Sequence, residues 1–163
     1  MRVLRSRKRL TVALVGFAVV GTCTAVALGS AGSGFSPTTL VTANFDKLVQ
    51  TNSDRVKFQT KDPTDVRVQQ IAIGAGGFSG WHHHPGFVIV AVASGSVTWT
   101  KADCSSTTYG PGLPDGSVFV ESGDEPGQAS SVAGATTYAT YVVPAASPPV
   151  FRIEDNPPAV FCG

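Results

Sequence analysis

An all-β fold, a sandwich or a barrel closed from short strands, is what the sequence predicts, and three observations predict it. Short runs rich in Val, Thr, Phe, Tyr and Ile recur from residue 56 onward, and these residue types suit a pleated, half-buried surface. Gly or Pro stands in nearly every gap between the runs, where a chain must turn. Beyond the N-terminal apolar run, no long stretch keeps the 3.6-residue apolar period of a helix. Ribbons of period 2 need a facing sheet to bury one side, so the strands must close on one another.

The elements follow in chain order. Arg2, Arg5, Arg7, Lys8 and Arg9 form a basic cluster, and residues 10–28 after it are almost entirely apolar or small. That pattern is an export signal, with cleavage expected between 29 and 34, or, given its length, an uncleaved signal anchor crossing the membrane through residues 10–28. Residues 1–31 are therefore set apart, and the protein is expected to be exported, either secreted or associated with the cell envelope. Residues 32–55 begin with Gly, Ser, Pro and Thr and read as a spacer and lead-in segment. Strands are expected at 56–60, 66–73, 87–93, 96–100, 117–121, 129–133, 136–143 and 150–153, and residues 154–163 form a tail. The separators include Asp62-Pro63, the Gly74 to Gly77 run, Pro85-Gly86, Gly110-Pro111-Gly112, Pro126-Gly127 and Gly134. The run 88–92 is apolar on both faces, which fits the middle of a closed structure or a subunit contact in a homodimer.

Charge excludes one class of partner. The whole chain carries 12 basic and 11 acidic residues, yet five of the 12 lie in the first nine positions. From residue 32 on, 7 basic residues face 11 acidic ones, no two of the 7 adjacent. Nucleic-acid binding, which needs clustered Lys and Arg, is not expected. Of the three cysteines, Cys23 falls in the leader. Cys104 and Cys162 remain, and in an oxidising compartment they are expected to pair, tying the C-terminus to a central loop.

All three histidines are consecutive: His82, His83 and His84. In a strand His82 and His84 share a face while His83 points away. Two imidazoles about 7 Å apart at their Cα atoms can converge on one transition metal ion, and Pro85-Gly86 puts them at a strand end. Gly76 is followed by five residues, then His82-His83-His84, then three residues, then Val88, and six residues later Gly95. This resembles the first motif of the cupin superfamily, in which a glutamate occupies the place of Val88. Gly116 to Glu121 resembles the opening of the second motif, and with Gly134 as its closing anchor the histidine position holds Gln128 and the asparagine position Val132.

The resemblance implies a double-stranded β-helix, a jelly-roll barrel, over residues 56–153. It also implies a metal site with two of four ligands, His82 and His84, retained. Gln128, Glu121, Glu125 or Asp124 is the candidate third donor. The implied cofactor is a single divalent transition metal, Mn, Fe, Zn, Ni or Cu. Three functions stay open: a small-molecule or weak metal-binding module with a partly degenerate site, a metal-dependent enzyme of dioxygenase or isomerase type, and a dimerising envelope interaction domain. Asp103, Asp115, Glu154 and Asp155 read as solvated loop residues. Trp81 and Trp99 read as core or rim. Tyr138 and Tyr141, three apart, must face opposite sides of one strand, so one of them can face a cavity.

Overall fold

The computed structural model describes residues 31–146, 148–159 and 162. The basic cluster and the apolar run, with Cys23, lie outside the described residues. Among the described residues there are twelve strands: β1 (Ser33–Phe45), β2 (Gln50–Asn52), β3 (Lys57–Gln59), β4 (Thr64–Phe78), β5 (His82–His83), β6 (Phe87–Gly95), β7 (Val97–Lys101), β8 (Ser106–Tyr109), β9 (Val118–Glu121), β10 (Gly127–Ser131), β11 (Ala135–Pro144) and β12 (Ile153–Glu154). No helix occurs among the described residues.

Ten strands form one sheet ordered β12-β5-β10-β4-β11-β6-β9, with β1 paired to β4, β7 to β10 and β8 to β7. All of these pairings are antiparallel. The sheet curls into a nearly closed, jelly-roll-like barrel, as the sequence predicts. β2 and β3 make a separate two-stranded hairpin.

Side-chain alternation puts the core inside. Val88, Val90 and Val92 of β6, Val97 and Trp99 of β7, Phe119 of β9, and Ala135 and Ala139 of β11 are buried in one cluster with Ile73 and Ala129. Trp99 and Tyr109 flank the Phe119 ring, with centroids 5.9 and 4.7 Å from it. The 88–92 run buries only one face, because Ile89, between Val88 and Val90, is exposed. Gly95 turns β6 into β7 at φ +73°, and a Cβ there would lie 2.1 Å from the Gly134 carbonyl oxygen. Both facts demand glycine at that position.

Three strands had no clear sequence signal: β1, β2 and β8. β1 occupies most of the segment read as spacer. Nearly all of its side chains are exposed, so no alternating apolar pattern marks it. Its conformation comes from backbone pairing along β4, from Ser33 against Phe78 to Phe45 against Thr64.

Candidate metal centre

The site is built at the short strand β5 and the residue after it. Gly127 of β10 pairs with His82 on one side, while Ile153 and Glu154 of β12 pair with His83 and His82 on the other. Alternation then turns His82 and His84 inward, 4% and 2% exposed. His83 faces the opposite way, its Nδ1 2.7 Å from Asp155 Oδ2.

The third member arrives from β9. Val118 and Val120 are exposed there and Phe119 and Glu121 buried, so Glu121 points into the barrel. Its direct cross-strand partner is Val88. Opposed residues of an antiparallel pair share a face with Cβ atoms about 5 Å apart. The carboxylate missing from position 88 is thus returned from the neighbouring strand. Glu121 Oε2 lies 2.7 Å from His84 Nε2 and 3.6 Å from His82 Nε2, and the three residues offer ligand atoms within 4.8 Å of one another. They form a cluster able to coordinate a divalent metal ion.

The other ring nitrogens fix the chemistry. His82 Nδ1 lies 2.9 Å from the Gly80 carbonyl oxygen, and His84 Nδ1 bonds the Phe151 carbonyl oxygen. A carbonyl oxygen only accepts, so both Nδ1 atoms carry hydrogen and donate. In the neutral tautomer both Nε2 atoms then present bare lone pairs toward a carboxylate. That arrangement calls for a cation between them, either a proton on Nε2 or a metal ion. Ligating histidines are commonly oriented by such an N–H donated to a backbone carbonyl. Burial pushes the Glu121 carboxyl up, but hydrogen bonds and charge from His82 and His84 outweigh it and lower the pKa to about 2. Those bonds are donated by Nε2–H, so Glu121 is ionised when a proton sits on Nε2, and a metal ion in its place would hold the carboxylate ionised in the same way.

The remaining candidates lie elsewhere. Glu125 is on the surface, paired with Lys101 at 3.2 Å. Asp124 sits exposed in the adjoining turn at φ +62°. Gln128 lies opposite Thr100, whereas its neighbour Ala129 lies opposite the buried Trp99. The inward residues of β10 are thus Gly127, Ala129 and Ser131, and Gln128 is not among them. The Trp99 indole fills the space over Gly127, where a Cβ would lie 2.1 Å from its Cζ2. That indole also meets the His82 ring edge to face at 5.9 Å. An aromatic wall thus covers the β10 side of His82.

The C-terminal tail, which in the structure begins at Phe151 and not at residue 154, is a working part of the site that sequence reasoning missed. Beyond the Phe151 carbonyl and Asp155, it supplies Arg152, whose Nη2 donates to the Ser79 carbonyl at 2.6 Å and to Glu154 Oε2 at 2.9 Å. A main-chain acceptor leaves no mark in the side-chain pattern, and Asp155 was assigned to solvent. Cys104 and Cys162 are bonded, with Cα atoms 5.1 Å apart, which holds the far end of the tail.

A cavity of about 50 Å³ borders His82, His84 and Glu121, and a groove of about 410 Å³ lies outside it. Phe35, Ile71, Ser79, Tyr141 and Arg152 line both. Tyr141 meets the His84 ring at 5.5 Å, while Tyr138 is exposed. Burial first, then the Glu121 charge, pushes the Tyr141 phenol up to about 12 against the opposing pull of Arg152 and Arg67. It is a neutral hydrogen-bonding group at physiological pH.

The fold is cupin-like. Barrel topology and the candidate metal-binding cluster of His82, His84 and Glu121 are together consistent with a degenerate cupin motif. No protein-family model matches the chain, and no curated protein matches it. Among solved structures, a conserved protein of unknown function from Streptococcus pyogenes is similar at 20% identity and TM-score 0.45, covering 62% of this chain and 78% of that one. A cupin superfamily protein from Desulfitobacterium hafniense is similar at 10% identity and TM-score 0.43, covering 65% and 81%. A cupin-2 domain protein from Shewanella frigidimarina is similar at 12% identity and TM-score 0.39, covering 46% and 68%.

Proposed function

We propose that this chain is an exported small-molecule-binding domain that holds one divalent transition metal ion through His82 Nε2, His84 Nε2 and the Glu121 carboxylate. One observation carries the reading: two imidazoles, each with its Nδ1 hydrogen committed to a backbone carbonyl, aim their Nε2 atoms at a buried carboxyl group. The donor set fits. Two imidazoles and one carboxylate suit Mn, Fe, Zn, Ni or Cu, and three protein ligands leave coordination positions open. When bound, the ion supplies Lewis-acid polarisation of an oxygen ligand. The chain's own residues do the rest. Val88 and Phe119 wall the inner cavity, Trp99 packs against the His82 ring, Tyr141 offers a neutral phenol beside His84, and the 50 Å³ space limits what reaches the centre.

Elemental analysis of the untagged protein, after offering these five metals in turn, tests the reading. About one metal per chain is expected in the parent and none in the His82→Ala, His84→Ala double variant. Equal metal content in both would overturn it. A metal-dependent enzyme is the second reading, favoured by the combination of a carboxylate with open positions and a groove leading to them. Export is supported by the basic cluster and apolar run at the N-terminus and by the paired cysteines. N-terminal sequencing of protein recovered outside the cytoplasm tests it, with a start between 29 and 34 expected for a cleaved leader.

A further inference from the structure

We propose that the outer groove is a carboxylate-binding vestibule, in which Arg67 and Arg152 receive the acid group of a small organic carboxylate whose other end reaches the metal centre. The far end of that pose rests on the metal-binding reading; the acid-binding end rests on the groove alone.

Period-2 alternation along β4 places Arg67, Gln69, Ile71 and Ile73 on the inner face. Arg67, Gln69 and Ile71 line the groove, and Ile71 and Ile73 line the inner cavity. The wall therefore runs from charged at the mouth to apolar at depth. Tyr141 lies directly across from Arg67 on β11 and links the mouth to His84. Arg67 is set in place without an acid: its guanidinium carbon sits 3.7 Å over the Phe151 ring, and its Nε contacts Thr42 Oγ1 at 3.4 Å. No carboxylate lies within ion-pair distance of it among the described residues. Arg152 spends Nε and Nη2 on Glu154 and the Ser79 carbonyl, leaving its Nη1 edge without a hydrogen bond among the described residues.

Charge decides the ligand class. Two guanidinium groups and one carboxylate, Glu154, line the groove, so one positive charge is uncompensated. Residues 32–163 hold only 7 basic residues against 11 acidic ones, yet two of the 7 meet here. A guanidinium stacked on an aromatic ring, with its fork free, is suited to bidentate recognition of a carboxylate. The 410 Å³ volume fits a small organic molecule and not a polymer.

The test is ligand-observed fluorine NMR on the full chain, with 4-fluorobenzoate as the anionic probe and 4-fluorobenzyl alcohol as its neutral counterpart. The parent is expected to bind the acid about tenfold or more tightly than the alcohol. Arg67→Gln should lose that margin in both metal-loaded and chelator-treated protein. Arg67→Lys should keep a preference for the acid. Glu154→Gln, which removes the competing carboxylate, should tighten acid binding, a gain that misfolding cannot mimic. Equal affinity for acid and alcohol in the parent overturns the proposal, as does unchanged acid affinity in Arg67→Gln. If acid binding needs metal and ignores Arg67, the metal centre stands and the vestibule falls. If no metal binds but Arg67 still governs the acid, the vestibule stands and the metal centre falls.

Discussion

At the scale of single residues, the site turns on Glu121. Removing its charge leaves two neutral imidazoles as the only protein donors, so Glu121→Gln should weaken metal binding by more than about 100-fold, beyond the 10- to 100-fold usual for outer partners. Competition against a chelator of known affinity measures this. The same residue sets an acid limit on stability in the metal-free chain. Its carboxyl is lowered from 4.5 to about 2 in the folded state. Ionised Glu121 therefore stabilises the fold fully above about pH 4.5, and that contribution is lost as pH falls toward 2. Thermal melts across this window should fall more steeply in the parent than in Glu121→Gln. Gly127 is the other decisive position. A methyl group there would enter the Trp99 ring, and Gly127→Ala should cost about 1–3 kcal/mol by overpacking, read from urea denaturation.

Among the elements, β5 and the C-terminal tail act as one unit. β5 is only two residues long and holds its register because β10 and β12 flank it. The tail bonds His84 through the Phe151 carbonyl and His83 through Asp155, and its end is tied to Cys104 across 58 residues. Replacing both cysteines by serine should remove about 2–4 kcal/mol of stability. Because it frees the segment that orients His84, it should also lower metal affinity. Equal affinity in the two forms, measured by titration, would separate the tail from the site. The two histidines on one face were legible from the His-x-His spacing, since strand alternation is a local property. The role of the tail was not, because a backbone carbonyl more than 60 positions away carries no sequence signal.

For the molecule as a whole, metal binding at the proposed site would be linked to folding. An ion bound by side chains from β5 and β9, together with His84 beside β5, favours only the folded chain. At a free metal concentration 100 times Kd it should add about 2.7 kcal/mol of stability. Thermal melts of the parent should rise with added metal while those of the His82→Ala, His84→Ala variant stay flat. The all-β class was readable because turn residues and β-formers alternate along the chain, and the jelly-roll barrel was implied by the resemblance of the His82–His84 region to a cupin motif. β1 was not, since its exposed side chains hide a strand defined by pairing alone.

By itself, the sequence determined an all-β sandwich or barrel, the face shared by His82 and His84, and the sparsity of positive charge from residue 32 on, all of which follow from local composition and period. Only the tertiary structure decided that Glu121, and not Gln128 or Glu125, completes the cluster. The reason is cross-strand register: which residue of β9 stands opposite Val88, and which face of β10 turns inward, depend on how strands distant in sequence align. A slip of one residue in either strand would exchange the two faces.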